Sequence, residues 1–158
     1  MNDPLSDIRQ YSEAMTISQV LKFCEKKDVG ITRGMVQNYI RDGLMPSPVG
    51  KRYYTHKHLA ALVMIDRLKT VFDMPTIQKT LVPFMDDEGL PLEIYNQLTL
   101  SSNSLLEQLV ANVSGEGRGN LIVMAFLAHA KADVVRRLDK ELNDKPSHAN
   151  LEGDDKNE

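Results

Sequence analysis

Apolar residues recur at helical spacing in a first segment that opens at Thr16 and ends near Lys27. The apolar face of this segment consists of Ile17, Val20, Leu21 and Cys24. Thr16 and Gln19 match the capping-box pattern that marks a helix start. Because Cys24 lies on the apolar face, we expect it to be a core residue and not a nucleophile. Residues 28–30 then break the helix, with a glycine at the turn.

A second helical pattern runs from a cap at Thr32 to about Asp42, and Gly43 follows at the C-cap position. Its inward face is apolar and consists of Met35, Val36, Tyr39 and Ile40. Its outward face is polar and consists of Arg33, Gln37, Asn38 and Arg41. Two short helices joined by a tight turn that contains glycine form a helix-turn-helix pattern.

The helical spacing of apolar residues ends after the second helix. Residues 44–50 hold two prolines and do not continue a helix. Residues 51–55 have the aromatic and β-branched character of a strand. Together these two segments predict a small β-hairpin with a basic tip. Further helices are predicted over residues 57–72, 76–82, 91–113 and 120–143.

The connections in the second half differ in composition from those in the first. Residues 86–89 are predicted to form a solvated acidic linker. A break near residues 100–102, where a serine could cap a new helix, stays open as an alternative for the helix that follows. Glycine-rich residues 114–119 do not follow a strand and lack the Lys-Ser/Thr of a phosphate loop, so we expect a flexible connector.

Charge is unevenly distributed along a chain whose net charge is −3. Residues 1–84 hold 12 basic and 8 acidic residues, and residues 85–158 hold 7 basic and 14 acidic ones. Residues 31–58 carry a single acidic side chain, Asp42, against five basic ones. Those five are Arg33, Arg41, Lys51, Arg52 and Lys57. This asymmetry places any contact with a polyanion in the first half of the chain.

Composition excludes several other classes of protein. With 158 residues, of which 42% are hydrophobic, the chain suits one domain or two very small ones. A single cysteine excludes a disulfide framework and a multi-thiolate metal site, and it fits a reducing compartment. The longest apolar run, residues 121–128, is far shorter than the roughly 20 residues of a membrane span. With no secretory signal at the N-terminus, we expect a cytoplasmic protein.

Catalytic and metal-binding patterns are weak. His56 and His58 are two positions apart, so on a helix they point in different directions, and no cysteine or acidic pair completes a coordination set. No nucleophile and base are paired in the pattern, which argues against a small hydrolase or transferase. We therefore expect no enzyme activity, no cofactor and no metal.

Several segments resemble the N-terminal domain of MerR-type regulators, a winged helix-turn-helix. The matching segments are residues 15–20 (the opening helix), 36–46 (the recognition helix and following turn), 51–55 (the end of the wing), and 58–68 with 77–81 (the next helix pair). The chain is most similar to uncharacterised bacterial proteins grouped as a domain of unknown function and described as MerR-like. The loop at residues 26–29 is longer than in MerR-type regulators, and the wing at residues 46–51 is shorter. The long coiled-coil helix of that family does not follow directly.

The resemblance implies an all-α fold with a small β wing: a winged helix-turn-helix domain followed by a C-terminal helical region. Residues 15–83 would form the first, and residues 84–143 a region for dimerisation or sensing. Residues 144–158 are expected to be a disordered acidic tail. Residues 1–14 are polar and predict an arm or a short, poorly anchored helix.

The function that the resemblance implies is sequence-specific binding of double-stranded DNA by a bacterial transcriptional regulator. The second helix of such a fold enters the major groove, where Arg reads guanine and Asn or Gln reads adenine. Basic and aromatic side chains on the wing bind phosphate oxygens. The candidate DNA-binding residues are Thr32, Arg33, Gln37, Asn38, Arg41, Lys51, Arg52 and Tyr54.

Regulators of this type bind two DNA half-sites related by a two-fold axis, which requires two copies of the chain. We therefore expect a homodimer built mainly from residues 91–142. The sequence assigns no effector ligand. The alternative function is a protein–protein interaction module that uses the winged-helix scaffold without binding DNA. The two functions differ in whether the basic side chains of the second helix and the hairpin form one continuous face.

Overall fold

The computed structural model describes residues 3–112 and the helical residues 128, 132, 135–137 and 140, with the backbone alone for residues 105, 106 and 109–112. The chain divides into two compact units, Met1–Gln108 and Leu109–Glu158. The predicted connector at 114–119 and the tail at 144–158 lie outside the described residues. So does the predicted last helix at 120–143, apart from the residues just named.

Helices account for nearly all regular structure in residues 3–112. They are α1 (Ser6–Arg9), α2 (Ile17–Lys26), α3 (Arg33–Arg41), α4 (His56–Leu68), α5 (Met74–Leu81) and α6 (Leu92–Asn112), with a 3-10 turn at Val82–Phe84. The prediction of a mostly helical protein is confirmed. No β-strand forms in residues 44–55, where the β wing is predicted. Antiparallel pairing within residues 3–112 is limited to isolated bridges. No helix in this part of the chain is both long and apolar enough to cross a membrane.

The core forms around α4, in which residues 58–65 are all buried. A helix that is apolar on every side must be covered on every side, and α2, α3 and α5 each contribute buried side chains to the same core. Those side chains are Val20, Phe23, Cys24, Val36, Tyr39, Ile77 and Leu81. The inward face predicted for α3 is thus confirmed, and that of α2 is confirmed at Ile17, Val20 and Cys24, whereas the buried Phe23 was not predicted and Leu21 is outside the core.

The N-terminal segment is better anchored than its polar sequence suggests. Leu5 and Ile8 are buried on either side of the start of α1. Asp7 forms an ion pair with Lys27 at the end of α2. Tyr11 packs its ring edge-on against Phe23, with 5.3 Å between centroids. The predicted alternative of a short helix is therefore confirmed, but the expectation of poor anchoring is wrong, because a few apolar side chains spaced among polar ones are enough to bind it to the core.

Helices α2 and α3 end in the same backbone motif. In each, a residue of positive φ follows the C-cap: Asp28 at 55° and Gly43 at 74°. The next amide then bonds back over the last turn, Val29 to the Cys24 carbonyl and Leu44 to the Tyr39 carbonyl, each at 2.8 Å. This is the Schellman motif, which satisfies the last carbonyls of a helix. Gly43 is confirmed at its predicted position, whereas the first turn places its left-handed residue at Asp28 and not at the glycine of residues 28–30.

The length of α4 differs from the prediction. Helix α4 ends at Leu68 and not at residue 72, and Val71 is exposed. The cause is the next helix start, where Asp73 accepts a hydrogen bond from the Thr76 amide and Pro75 occupies the first turn. Helix α6 runs through residues 100–102 without a break.

Residues 86–89 form a tight turn packed against the start of α4, and the predicted solvation is confirmed for Asp86, Asp87 and Glu88, which are exposed. Asp86 and Gly89 exchange backbone hydrogen bonds of 2.9 and 3.2 Å, and the Leu90 amide donates to the Lys57 carbonyl at 3.1 Å. A Cβ atom on Gly89 would lie 2.5 Å from that carbonyl oxygen. The close backbone contact, which only glycine permits, fixes the turn on the helix.

Candidate nucleic-acid interface

The outward face of α3 is a continuous polar surface. Its predicted members are all exposed: Thr32, Arg33, Gln37, Asn38 and Arg41. They recur at the three- and four-residue spacing of one helical face. On the opposite side Val36 is fully buried and Tyr39 is 6% exposed. The side chains available to a partner are therefore held by a helix whose back is fixed in the core.

Both ends of α3 are fixed by side chains. At its start the Thr32 hydroxyl accepts a hydrogen bond from the Met35 amide at 3.3 Å. At its end Gln78 of α5 donates to the Asp42 carbonyl at 3.1 Å. Capping at one end and a tertiary hydrogen bond at the other leave α3 little freedom to turn about its axis, so the direction of its polar face is set.

Residues 48–54 form a short hairpin, which we call the basic hairpin. Val49 and Tyr53 exchange backbone hydrogen bonds of 2.7 and 3.1 Å. Between them Gly50 and Lys51 both have positive φ, 59° and 60°, which is the geometry of a tight primed turn. Lys51 and Arg52 are exposed at the tip. The basic tip predicted from the sequence is present, although no strand forms around it within the described residues.

Tyr54 differs from the other predicted site residues because its side chain is buried, with 7% exposed. Its ring meets the His58 ring edge-on at 5.4 Å, and its backbone pairs with Met15 through two hydrogen bonds of 2.8 Å. Burial raises the pKa of the Tyr54 phenol, and the positive charge of Arg33 acts on that pKa in the opposite direction. Tyr54 therefore joins the basic hairpin to the core, close to the start of α3.

His58 holds both ends of the basic hairpin, a role that the sequence analysis missed. Its Nδ1 accepts from the Thr55 amide at 3.0 Å, and its Nε2 faces the Ser47 carbonyl at 3.2 Å and donates to it. The ring is fully buried, and burial lowers its pKa. Thr55 and His58 have the spacing of a capping box, with histidine in place of Glu or Gln. That spacing was the signal available in the sequence.

Ion pairs divide the five basic residues of 31–58 into two groups. Arg41 binds Asp42 through two hydrogen bonds of 2.8 and 3.2 Å, which raise the pKa of Arg41 and lower that of Asp42. Lys57 binds Asp86 at 2.6 Å and Glu88 at 3.8 Å. The remaining three have no acidic partner among the described residues: Arg33, Lys51 and Arg52. Within residues 31–58 the unpaired positive charge therefore lies at the start of α3 and at the hairpin tip.

Arg52 is also positioned by an aromatic side chain. Its guanidinium carbon lies 5.2 Å from the centroid of the Tyr53 ring, within the range of a cation–π interaction. Such a contact restrains the long arginine side chain without neutralising its charge. Among the described residues no cluster of histidine, cysteine and carboxylate side chains has the arrangement of a metal site.

One comparison with known proteins gives a match. The model of a family described as a domain of unknown function (DUF1836) matches residues 7–98. The matched range covers more than half of the chain and contains α2 to α5, the basic hairpin and every candidate DNA-binding residue. No curated protein and no solved structure matches the chain.

Proposed function

Given that the chain belongs to the family described as a domain of unknown function (DUF1836), we propose its function from its surface: it is a sequence-specific DNA-binding transcriptional regulator with a MerR-like winged helix-turn-helix. The observation that carries the proposal is the location of the unpaired positive charge of residues 31–58. Arg33 lies at the start of an exposed polar helix face, and Lys51 and Arg52 lie at the tip of an adjoining hairpin.

Helix α3 has the role of the recognition helix in this proposal. The early turns of such a helix face base edges in the major groove. Arg33, Gln37 and Asn38 occupy those turns and are exposed. A guanidinium donates two hydrogen bonds to guanine, and a carboxamide exchanges two with adenine, so these three side chains supply direct readout of sequence.

The basic hairpin has the role of the wing. Lys51 and Arg52 at its tip bind phosphate oxygens and set the register of α3 on the duplex. Its base is tied to Met15 and His58 by hydrogen bonds, so little conformational entropy is lost when the tip meets DNA. Tyr54 is a positioning residue in this account, because its buried ring supports the hairpin from below.

Arg41 contributes less to the proposed contact than its charge suggests. Its guanidinium already binds Asp42, and a DNA phosphate would have to compete with that carboxylate. Asp42 also brings a negative charge to the end of α3, which opposes the approach of a phosphate. We place Arg41 at the edge of the interface for this reason.

The proposed regulator acts as a homodimer on double-stranded DNA. A single helix-turn-helix reads only a few base pairs, and paired half-sites supply the rest of the specificity. The predicted dimer region, residues 91–142, includes α6 and a long stretch outside the described residues. An effector ligand is not part of this proposal.

The experiment is a titration of labelled genomic DNA fragments with the full chain at low salt, in which fluorescence anisotropy measures binding. Arg33→Ala should weaken binding to the best fragment by about fivefold or more, since a bidentate base contact contributes about 1–3 kcal/mol. Arg9→Ala is the matched control: it removes one exposed arginine from α1, where Arg9 pairs with Asp3 at 3.5 Å. Equal losses from both variants, or no binding to any fragment, would contradict the proposal and favour the protein–protein interaction module.

A further inference from the structure

A cavity of about 420 Å³ opens beside the basic hairpin, and none of the candidate DNA-binding residues lines it. Its apolar walls come from three segments of the chain, through Ala14, through Val49 and Tyr53 of the basic hairpin, and through Leu92. Val49 and Tyr53 are 44% and 38% exposed, so the cavity leaves apolar surface of the hairpin in contact with water. Its volume lies within the range of sites for small molecules.

Carboxylates give this cavity a negative character. Glu13 and Glu88 line it, and Glu13 has no ion-pair partner among the described residues. The lysine in the lining, Lys57, already binds Asp86 and Glu88, so its charge is compensated. The histidine in the lining, His56, directs its Nε2 to the Tyr11 carbonyl at 2.8 Å. Two carboxylates beside apolar and aromatic walls repel an anion and attract a cation.

We infer that this cavity binds a small amphipathic cation, a protonated amine carried on an apolar body. The ammonium group lies between Glu13 and Glu88, and the apolar body covers Val49, Tyr53 and Leu92. The Tyr53 ring adds a further preference for positive charge through its π-system. A neutral molecule of the same shape would keep the apolar contacts and lose the charge pairing.

Occupancy of the cavity also affects the hairpin tip, an extension that rests on the proposed function. Tyr53 lines the cavity and holds the Arg52 guanidinium at 5.2 Å. A ligand packed against Tyr53 restrains this ring and, through it, the side chain proposed to bind phosphate. Because a restrained side chain loses less entropy on binding, DNA affinity rises by about threefold when the cavity is occupied.

The test compares three probes that share a phenyl ring: phenethylamine, 2-phenylethanol and phenylacetate. Dissociation constants are measured from amide chemical shifts of the full chain at probe concentrations up to about 20 mM. The amine should bind about tenfold more tightly than the alcohol, and phenylacetate least tightly of the three. The largest shifts should occur at Glu13, Val49 and Tyr53. Equal binding of amine and alcohol, shifts confined to other residues, or no shifts at all would each overturn the inference.

Charge-neutral variants localise the effect. Glu13→Gln and Glu88→Gln should each weaken amine binding by about threefold and leave alcohol binding unchanged. Glu25→Gln is the matched control, because Glu25 is an exposed carboxylate on α2 and does not line the cavity. A loss of the same size in the control would overturn the assignment of the charge partners.

The coupling to DNA has a separate readout, the anisotropy titration repeated with saturating phenethylamine. A rise in DNA affinity supports the coupling, and an unchanged or lower affinity overturns it. The probe titration contains no DNA, so a failure of the proposed function would leave its result intact. The reverse also holds, since the DNA titration of the free chain contains no probe.

Discussion

At the scale of single residues, the imidazole of His58 decides how firmly the basic hairpin is held. Its two nitrogens have opposite roles, since one accepts from Thr55 and the other donates to Ser47. Only the neutral ring can do both. Protonation would place a second donor against the Thr55 amide and bury a positive charge, which the nearby Asp86 and Glu88 carboxylates would offset only in part.

The free energy of unfolding should therefore depend on pH through His58. Burial holds the folded-state pKa of this histidine below its ordinary value of 6.5. Below pH 6.5 the unfolded chain therefore binds a proton at this histidine that the folded chain does not bind. The contribution of His58 to the free energy of unfolding is fully present above pH 6.5 and falls as the pH drops below that value. Urea titrations between pH 7.5 and 5 measure this slope. In His58→Gln, whose carboxamide can still cap α4, the slope should be flatter, and a slope as steep as in the wild type would contradict the assignment.

Side chains of α3 and of the hairpin tip should affect DNA binding in different ways. Gln37→Ala or Asn38→Ala should cost about 1–3 kcal/mol at particular base pairs and relax the preference there. Arg52→Ala should weaken binding to every sequence by a similar factor, because phosphates carry no sequence information. Selection from a random DNA library by each variant compares the preferences position by position. Uniform effects from all three variants would show that α3 is not the recognition helix.

At the scale of elements, the start of α4 is where three segments of chain meet. The basic hairpin reaches it through His58, the N-terminal segment through the bond between His56 and Tyr11, and the turn at 86–89 through Lys57. The turn approaches most closely, because Gly89 has a φ of 126° and no side chain. The geometry of the proposed wing thus depends on a contact far along the sequence.

Gly89→Ala should consequently lower the free energy of unfolding by about 2–4 kcal/mol. A methyl group would meet the Lys57 carbonyl at 2.5 Å, and an L-residue is strained at this φ. Gly34→Ala is the control within α3, where the nearest atom would lie 4.0 Å away. An alanine there should raise stability by up to about 1 kcal/mol, as expected inside a helix. Denaturant titrations measure the free energy of unfolding of both variants. Similar changes of this free energy in the two variants would contradict the account.

Local chemistry explains which elements could be predicted from the sequence. Helices α2 and α3 carry caps at Thr16 and Thr32 and a periodic apolar face, and both lie close to their predicted ranges. The packing of the turn at 86–89 against α4 could not be predicted, because an acidic segment with a glycine indicates only a solvated connection. The sequence does not show which backbone it contacts. The same holds for the charge pattern, since the sequence counts Arg41 and Lys57 but does not show that Asp42 and Asp86 bind them.

At the scale of the whole molecule, the proposed function requires two copies of a chain whose mass is 17.8 kDa. The prediction of a dimer through residues 91–142 remains to be tested. Truncation after Pro83 would remove Leu90 and Tyr95, which are buried in the core, and would confuse unfolding with dissociation. Truncation after Asn112 preserves these contacts.

The full chain should therefore have twice the mass of one copy, and the chain truncated after Asn112 should be monomeric. Multi-angle light scattering measures both, and thermal unfolding of the truncated chain controls for loss of structure. A monomeric full chain would contradict the proposed assembly. A truncated chain that still forms a dimer would move the interface into residues 1–112.

The salt dependence of DNA binding tests the central claim most directly. In a dimer, Lys51 and Arg52 from both copies bind phosphates and displace their counterions, so the logarithm of the association constant should fall with the logarithm of salt concentration with a slope of about −4. Replacing Lys51 and Arg52 together by alanine should reduce the magnitude of that slope by roughly 3 to 4 in the dimer. Anisotropy titrations of the full chain at several salt concentrations give both slopes. A slope near zero, or one that the double replacement leaves unchanged, would contradict the assignment of this surface to DNA.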